Sequence, residues 1–532
     1  MTAGLKIYLA QLNPTVGDLS SNATKIRESR DNAPAGTDLI VFPEMVVTGY
    51  PVDDLVLNES FLRHVQNVVD EIVRESTGSD VFMTLTAPML KDGRIYNALH
   101  VVGGGKIHAT ILKHNLPNYG IFDDKRVFDA GPLPEPVTVK GYKIGFMICE
   151  DVWFPEPAAN LKKHGAEILI VPNASPYAEG KHGRRYETTR ARVKETGLPL
   201  IYVNQVGGQD DLVFDGASFV MDAAGKITEQ LPFFEEYCAP AEGHIHEHLS
   251  PEEEIYSALT LALRDYVHKN GFKGVLIGMS GGIDSALSAV IAADALGSEN
   301  VHCVMMPSPF TSQDSLDDAK ECSDLLGVKY EVISIEAALK AYESSLTLSG
   351  TAHENIQSRI RGNILMALSN KTGAMVLSTG NKSEMAMGYA TLYGDMCGGF
   401  NAIKDIYKTM VYRLANWRNK TGRVIPGRII TKAPTAELKA KQTDQDTLPP
   451  YDILDAILHG LIEEDLGVDE ITAEGFDRDM VSKIARMLEA AEYKRRQAPP
   501  GPKITAKAFG RDRRYPITNG YIRNIEKPAK TS

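Results

Sequence analysis

Three features stand back to back near the middle of the chain: an apolar run, "GVLIGM" (274–279), a turn of glycines and hydroxyls, "SGGIDS" (280–285), and an alanine-rich helical stretch, "ALSAVIAADALG" (286–297). Strand, glycine-rich turn and helix in that order form the repeating unit of a parallel α/β sheet. Further β-like runs at 301–306, 329–334 and 374–379 alternate with helical patterns. The spacing predicts a doubly wound parallel sheet with right-handed crossovers, whose ligands bind beyond the carboxyl ends of the strands. The glycine turn falls at such an end. Its backbone amides can curl around a phosphate, and the helix that follows adds its N-terminal dipole.

With 532 residues the chain is too long for one core, and two or more domains are expected. The first half has its own alternation. Runs at 6–12, 38–44, 81–87, 143–150, 167–175 and 199–207 are apolar and β-branched, with helical patterns at 58–76 and 184–197. The stretch 95–113 reads as a hairpin around its triple glycine, and a strand-like run at 213–221 closes this half. Periodicity lapses over 232–253, where Pro, His and Glu accumulate. The expected division is 1–240, a linker 241–253, and 254–532. The second part opens on a helix after "SPEEE", with Ile255, Leu259, Ala262, Leu263 and Tyr266 as its one apolar face.

A net charge of −12 argues against broad nucleic-acid binding. Five scattered cysteines without C-x-x-C pairing suggest neither a disulfide framework nor a zinc site, and a cytoplasmic setting is expected. No basic leader with an apolar core opens the sequence, and no apolar run approaches the ~20 residues of a membrane span.

Three chemically distinct residues end predicted strands in the first half: Glu44 after "LIVFP", Lys113 after "ATIL" and Cys149 after "IGFMI". Singly, each reads as a strand-end acid, a surface lysine and a core cysteine. Together they suit amide hydrolysis: the thiolate attacks the carbonyl, the glutamate shuttles the proton, and the lysine faces the oxyanion. The segments "FPEMVVTGYP", "KHNLPNYGIFDDKRVF" and "GFMICEDVWFP" closely resemble the three signature segments of the nitrilase superfamily, whose Glu-Lys-Cys triad matches these residues. The resemblance implies an α-β-β-α sandwich. Within the glutamine-hydrolysing branch it further implies that Tyr119, Ser175 and Lys181 hold glutamine, where the plain readings are satisfied turns and a solvated loop charge. Glu150 fits either a second proton carrier or a group that orients Lys113.

The central turn lacks the lysine of a G-x-x-x-x-G-K-[ST] loop, which reaches β and γ phosphates for γ transfer. A cradle of Gly278, Met279, Ser280, Gly281, Gly282, Ile283, Asp284 and Ser285 better suits holding pyrophosphate while attack falls on the α-phosphate, with Asp284 as a Mg²⁺ ligand. "SGGIDS" is similar to the signature of ATP pyrophosphatases of the adenine nucleotide α-hydrolase type, and "ENIQSRIRGNILMALSN", "LSTGNKSEMAMGYATLYGDMCGGFNAIKDIYKT" and "KAPTAEL" resemble NAD⁺ synthetases. The resemblance implies that Thr379, Lys408 and, more weakly, Thr435 contact ATP. It implies that Asn355, Arg359, Glu384 and Lys494 face deamido-NAD⁺, and that Glu384 joins Asp284 on Mg²⁺. Leu392 departs from the lysine found in ammonia-dependent relatives, which puts the contacts over 392–400 in question. The basic tail 492–516 otherwise reads as a solvated face.

A glutamine amidase in front of an NAD⁺ synthetase implies glutamine-dependent synthesis, with L-glutamine, ATP and deamido-NAD⁺ as substrates. The family further implies a homodimeric or larger assembly and a protected ammonia path. The rival readings are another adenylating amidotransferase, a tRNA-modifying thiolase, an amidase uncoupled from an ammonia-using ligase, and a non-enzymatic platform.

Overall fold

A computed structural model of the chain describes residues 4–433, 437–439, 448–520 and 525. The chain divides into two compact units, Met1–Ser250 and Pro251–Ser532.

Two six-stranded sheets carry the first unit. One runs in the order Tyr237–Pro240, Ile7–Gln11, Leu39–Val41, Phe82–Lys91, Arg94–Gly103, Lys106–Leu112. The other runs Ile227–Gln230, Phe219–Met221, Leu200–Asn204, Ile168–Asn173, Tyr142–Phe146, Val137–Val139. The two-residue period of a strand sorts the side chains. Leu9, Leu39, Val41, Ile144, Phe146, Ile170 and Ile201 meet in one cluster shared by both sheets. Their neighbours Tyr8, Ala10 and Ile40 turn the other way and pack with Ile26, Val65, Val69 and Ile72 from helices Leu19–Asp31 and Glu59–Glu75. On the second sheet Leu169, Val171 and Tyr202 pack with Ala158, Leu161 and Val193 from helices Pro155–Lys163 and Lys181–Thr196. The layers are therefore α-β-β-α, and covering both faces of each sheet explains why its central strands read as unbroken apolar runs. Truncating fully buried Ile170 to alanine is expected to cost about 2–5 kcal/mol.

The 95–113 hairpin forms as the triple glycine suggests. Gly104 and Gly105 stand at φ 57° and 79°, as a two-residue turn with both residues left-handed requires. Two expectations are corrected. The run 213–221 is not one strand: Leu212–Asp215 pairs with Val206–Gln209, and Phe219–Met221 belongs to the second sheet. Between them Gly216 and Ala217, at φ 62° and 51°, break the extension. The aperiodic stretch from 232 is not all connection either, because Tyr237–Pro240 returns antiparallel to Ile7–Gln11 at the edge of the first sheet.

The second unit is built on a four-stranded parallel sheet in the order Lys329–Val332, Val301–Met305, Val275–Gly278, Met375–Leu377. The strand earliest in sequence has its successor on one side and the last strand on the other, so the order reverses there and opens a crevice at the carboxyl ends. Helix Ile283–Leu296 leaves the glycine turn with Ala286, Leu287, Ala289, Val290 and Ile291 fully buried. Helix Pro251–Lys269 buries Ile255, Leu259, Ala262 and Leu263, and Tyr266 stacks on Phe400 at 4.4 Å. It also buries Tyr256, Ala258, Leu261 and Val267, so the single apolar face expected from its sequence is too narrow. The basic tail is not a solvated face. Arg495, Lys503 and Arg513 are buried, paired with Glu492, Asp512 and Glu489. No helix among the described residues is long and apolar enough to cross a membrane.

Candidate active sites

In the first unit Glu44 and Lys113 meet in a direct, buried ion pair just beyond strands Leu39–Val41 and Lys106–Leu112. Lys113 Nζ donates to Glu44 Oε1 at 2.8 Å and to Asp124 Oδ2 at 2.9 Å, with the lysine 1% and the glutamate 0% exposed. Asn97 Nδ2 donates to the same Glu44 oxygen at 2.7 Å, and the Ala174 amide donates to the other at 3.0 Å. Tyr50 Oη closes the far side on Asp124 Oδ1 at 2.9 Å. Burial works against the ammonium charge of Lys113, but Asp124, Glu44 and Cys149 outweigh it and hold the pKa well above the ordinary range.

Cys149 begins the one-turn helix Cys149–Trp153 in a left-handed conformation, φ 45°. Asp151 pins this turn to the segment after Lys113: its Oδ2 accepts from Ile148 N at 3.0 Å and its Oδ1 from Asn115 N at 2.7 Å. Burial, then the charge of Glu44, pushes the Cys149 thiol well up, while Lys113 opposes the shift. This shift favours the thiol over the thiolate, so attack is helped by a base that takes its proton. Glu150 is buried beside it, and Tyr119 Oη donates to both its carboxylate oxygens at 3.1 Å. Burial raises the Glu150 pKa, against Lys113, Tyr119 and Lys181. Lys181 lies 5.6 Å from the Phe122 ring centre, and Tyr119 packs edge-on against the same ring. Ser175 is bound on all sides: its amide donates to Asn204 Oδ1 at 2.9 Å, and its hydroxyl accepts from Arg185 Nε at 3.2 Å.

In the second unit a cavity of about 510 Å³ opens where the sheet order reverses. The segment 278–285 lines it, together with Asn355, Thr379, Glu384, Lys408 and Lys494. Gly281 stands at φ 78°, and a Cβ there would lie 2.4 Å from the Ser315 carbonyl, so glycine is required. Ser285 Oγ donates back to Gly282 O at 3.0 Å and faces Ser280 Oγ at 3.0 Å, so the two hydroxyls brace the turn. Lys408, 1% exposed, donates to Asp284 Oδ2 and lies 3.7 Å from Glu384 Oε1, while Asn381 Nδ2 donates to Asp284 Oδ1 at 2.9 Å. Burial works against this ammonium too, and Asp284 and Glu384 reverse the effect and raise its pKa. Asn355 Oδ1 accepts from Thr391 Oγ1, and Lys494 donates to the carbonyls of Gly388 and Ala390. Arg359 is not among the cavity residues; its Nε donates to Leu392 O at 3.2 Å. Thr435 lies outside the described residues.

Sequence reasoning missed Asp124, Asn97 and Asp151 in the first site. It also missed Arg361 and Asp395 in the second, where burial lowers the arginine to about 10 against Glu437 and Asp395. Asn97 had no signal; Asp124 and Asp151 lie in segments that carry the nitrilase resemblance, and Arg361 and Asp395 in segments that carry the NAD⁺ synthetase resemblance.

A buried acid–base–thiol group on an α-β-β-α sandwich, followed by a glycine cradle on a doubly wound sheet, describes a carbon-nitrogen hydrolase unit joined to a nucleotide-dependent synthase unit. Residues 6–242 match the carbon-nitrogen hydrolase family and residues 255–498 the NAD synthase family. Over 547 residues the chain is 48% identical to the glutamine-dependent NAD(+) synthetase of Rhodobacter capsulatus, covering 98% of this chain and 99% of that one. The solved glutamine-dependent NAD+ synthetase of Acinetobacter baumannii, in complex with adenosine diphosphate, is 42% identical, covers 97% of this chain and 99% of that one, and superposes with a TM-score of 0.77. The synthetase of Cytophaga hutchinsonii, at 22% identity with 98% and 100% covered and a TM-score of 0.84, shares the fold. The chain belongs to the family of glutamine-dependent NAD(+) synthetases.

Proposed function

We propose that the chain is a glutamine-hydrolysing NAD⁺ synthase: it converts deamido-NAD⁺, ATP, L-glutamine and water to NAD⁺, AMP, diphosphate and L-glutamate. The observation that carries the reading is the joining, in one chain of this family, of the buried Glu44–Lys113 pair beside Cys149 with a cavity whose glycine turn lacks the P-loop lysine.

In the first unit Glu44 takes the proton of the Cys149 thiol as sulfur bonds to the amide carbon of glutamine. The ammonium of Lys113 lies where it can face the oxyanion. The proton passes to the departing ammonia, and water then opens the thioester to glutamate. Glu150 with Tyr119 presents negative charge suited to the α-ammonium of glutamine, and Lys181 presents a positive charge suited to its carboxylate.

In the second unit the nicotinate carboxylate of deamido-NAD⁺ attacks the α-phosphate of ATP. Diphosphate departs into the 280–285 turn, and ammonia then displaces AMP from the adenylated carbonyl. Thr379 and Lys408 contact ATP, while Asn355 and Lys494 serve deamido-NAD⁺; Arg359 lies outside the cavity and instead holds the Leu392 carbonyl. The family's chemistry also calls for Mg²⁺. Asp284 and Glu384 fit it: two hard oxygen donors already converge on a cation, the Lys408 ammonium. An ion held by Asp284 and Glu384 would supply positive charge to balance the diphosphate. A cytoplasmic setting accords with five unpaired cysteines, and a homo-oligomeric assembly is part of the same proposal.

The test is purified protein with ATP, deamido-NAD⁺ and glutamine, analysed for nucleotide products. Equal amounts of AMP and NAD⁺ are expected; ADP as the spent nucleotide overturns the adenylation mechanism.

A further inference from the structure

The helix that delivers Lys408 to the cavity starts without a cap of its own. Lys408–Arg418 is preceded by Tyr407, which makes no side-chain capping bond, so the first amides need partners from elsewhere. Two other helices supply them. Lys408 N donates to Ser383 Oγ at 3.0 Å, and Thr409 N donates to Asp455 Oδ2 at 2.9 Å. Ser383 Oγ in turn donates to Asp455 Oδ1 at 2.5 Å. One carboxylate on helix Tyr451–Ile462 thus closes a ring of three hydrogen bonds joining that helix to Lys382–Met387 and Lys408–Arg418. Ser383 is 0%, Lys408 1% and Asp455 6% exposed.

We propose that Asp455, through Ser383, is a positioning residue for the synthetase reaction. It does not line the cavity, yet it sets where two cavity groups stand. Glu384 follows Ser383 directly on one helix, and Lys408 is the first residue of the other. The ammonium of Lys408 lies between Asp284 and Glu384, so a slip of either helix start misplaces the group that meets ATP. The negative carboxylate at the helix start also favours its dipole and resists fraying there. The proposal rests on the reading of Lys408 and Glu384 as nucleotide and metal contacts.

The experiment is steady-state kinetics of the full chain with ammonium as nitrogen donor, which leaves glutamine hydrolysis out of the measurement. Asp455→Ala is expected to lower kcat/KM for ATP about 100-fold, the loss typical of a small misplacement of a catalytic group. Its KM for deamido-NAD⁺ should stay within about twofold of wild type. Asp455→Asn keeps an acceptor for the Thr409 amide and should recover part of the ATP loss. Wild-type kcat/KM for ATP in Asp455→Ala overturns the proposal. So does an equal loss for both substrates with no recovery in Asp455→Asn, which marks a purely structural residue. If Asp455→Ala does not fold, Ser383→Ala replaces it, with an expected loss of about tenfold confined to ATP; no ATP-specific loss there overturns the proposal. Failure of the underlying reading is seen separately, as wild-type protein that makes no AMP.

Discussion

In the first unit the reacting charges are already matched inside the protein, whereas in the second they stand half open to a cavity. Glu44 and Lys113 are 0% and 1% exposed, and Asn97, Asp124 and the Ala174 amide occupy their remaining bonds. Asp284 and Glu384 keep 17% and 19% of their side chains exposed. The difference follows from the chemistry. Amide hydrolysis by a thiol needs a fixed base and a fixed oxyanion partner in a dry site, so the protein provides both signs of charge. Adenylation brings its own negative charge on the phosphates, so the second site offers backbone amides, a helix start and two acids that converge on one ammonium.

That contrast can be broken most severely at the cavity. Asp284→Ala is expected to abolish NAD⁺ formation with either glutamine or ammonium, while glutamine hydrolysis persists in the same sample; normal synthesis would remove Asp284 from the site. Gly281→Ala sharpens the comparison. The added Cβ meets the Ser315 carbonyl at 2.4 Å and a φ of 78° disfavours alanine, so the turn must shift. ATP turnover should fall about 10²-fold, again without loss of glutaminase; an unaltered KM and kcat for ATP would contradict the cradle.

A smaller effect concerns the acid stability of the first unit. Burial, with Arg185 and His248 acting in the same direction, lowers His182 in the first unit from 6.5 to about 3. Below pH 6.5 the unfolded chain takes up that proton before the folded one does. The stability that His182 contributes in full above pH 6.5 is therefore lost progressively as pH falls toward 3. The two tryptophans, Trp153 and Trp417, fall one in each unit, so Trp417→Phe leaves a fluorescence reporter of the first alone. Its unfolding midpoint should drop between pH 6.5 and 4, and His182→Phe, which keeps a ring against Tyr186 and Phe233, should flatten the slope.

What the sequence revealed follows the same physics. Val275–Gly278 and Val301–Met305 are covered on both faces and read as plain apolar runs, so the parallel sheet and its glycine turn were visible. Val137–Val139, Ile227–Gln230 and Tyr237–Pro240 lie at sheet edges and are only three or four residues long, too short to leave a period. Glu44, Lys113 and Cys149 were legible because each stands within three residues of a strand end in a distinctive segment. Their supports were legible at most as members of those segments, as Asp124 and Asp151 are, and not in their roles, because Asn97, Asp124 and Asp151 act through tertiary contacts up to 53 residues away. The buried bases Lys382, Arg495 and Arg513 resemble surface charges until Glu463, Glu492 and Glu489 are found beside them.

The central claim is that one unit frees nitrogen and the other activates the carboxylate that receives it. Cys149→Ala assayed for NAD⁺ with each donor tests it most directly. The account predicts no synthesis from glutamine and undiminished synthesis from added ammonium. Equal failure with both donors would contradict it.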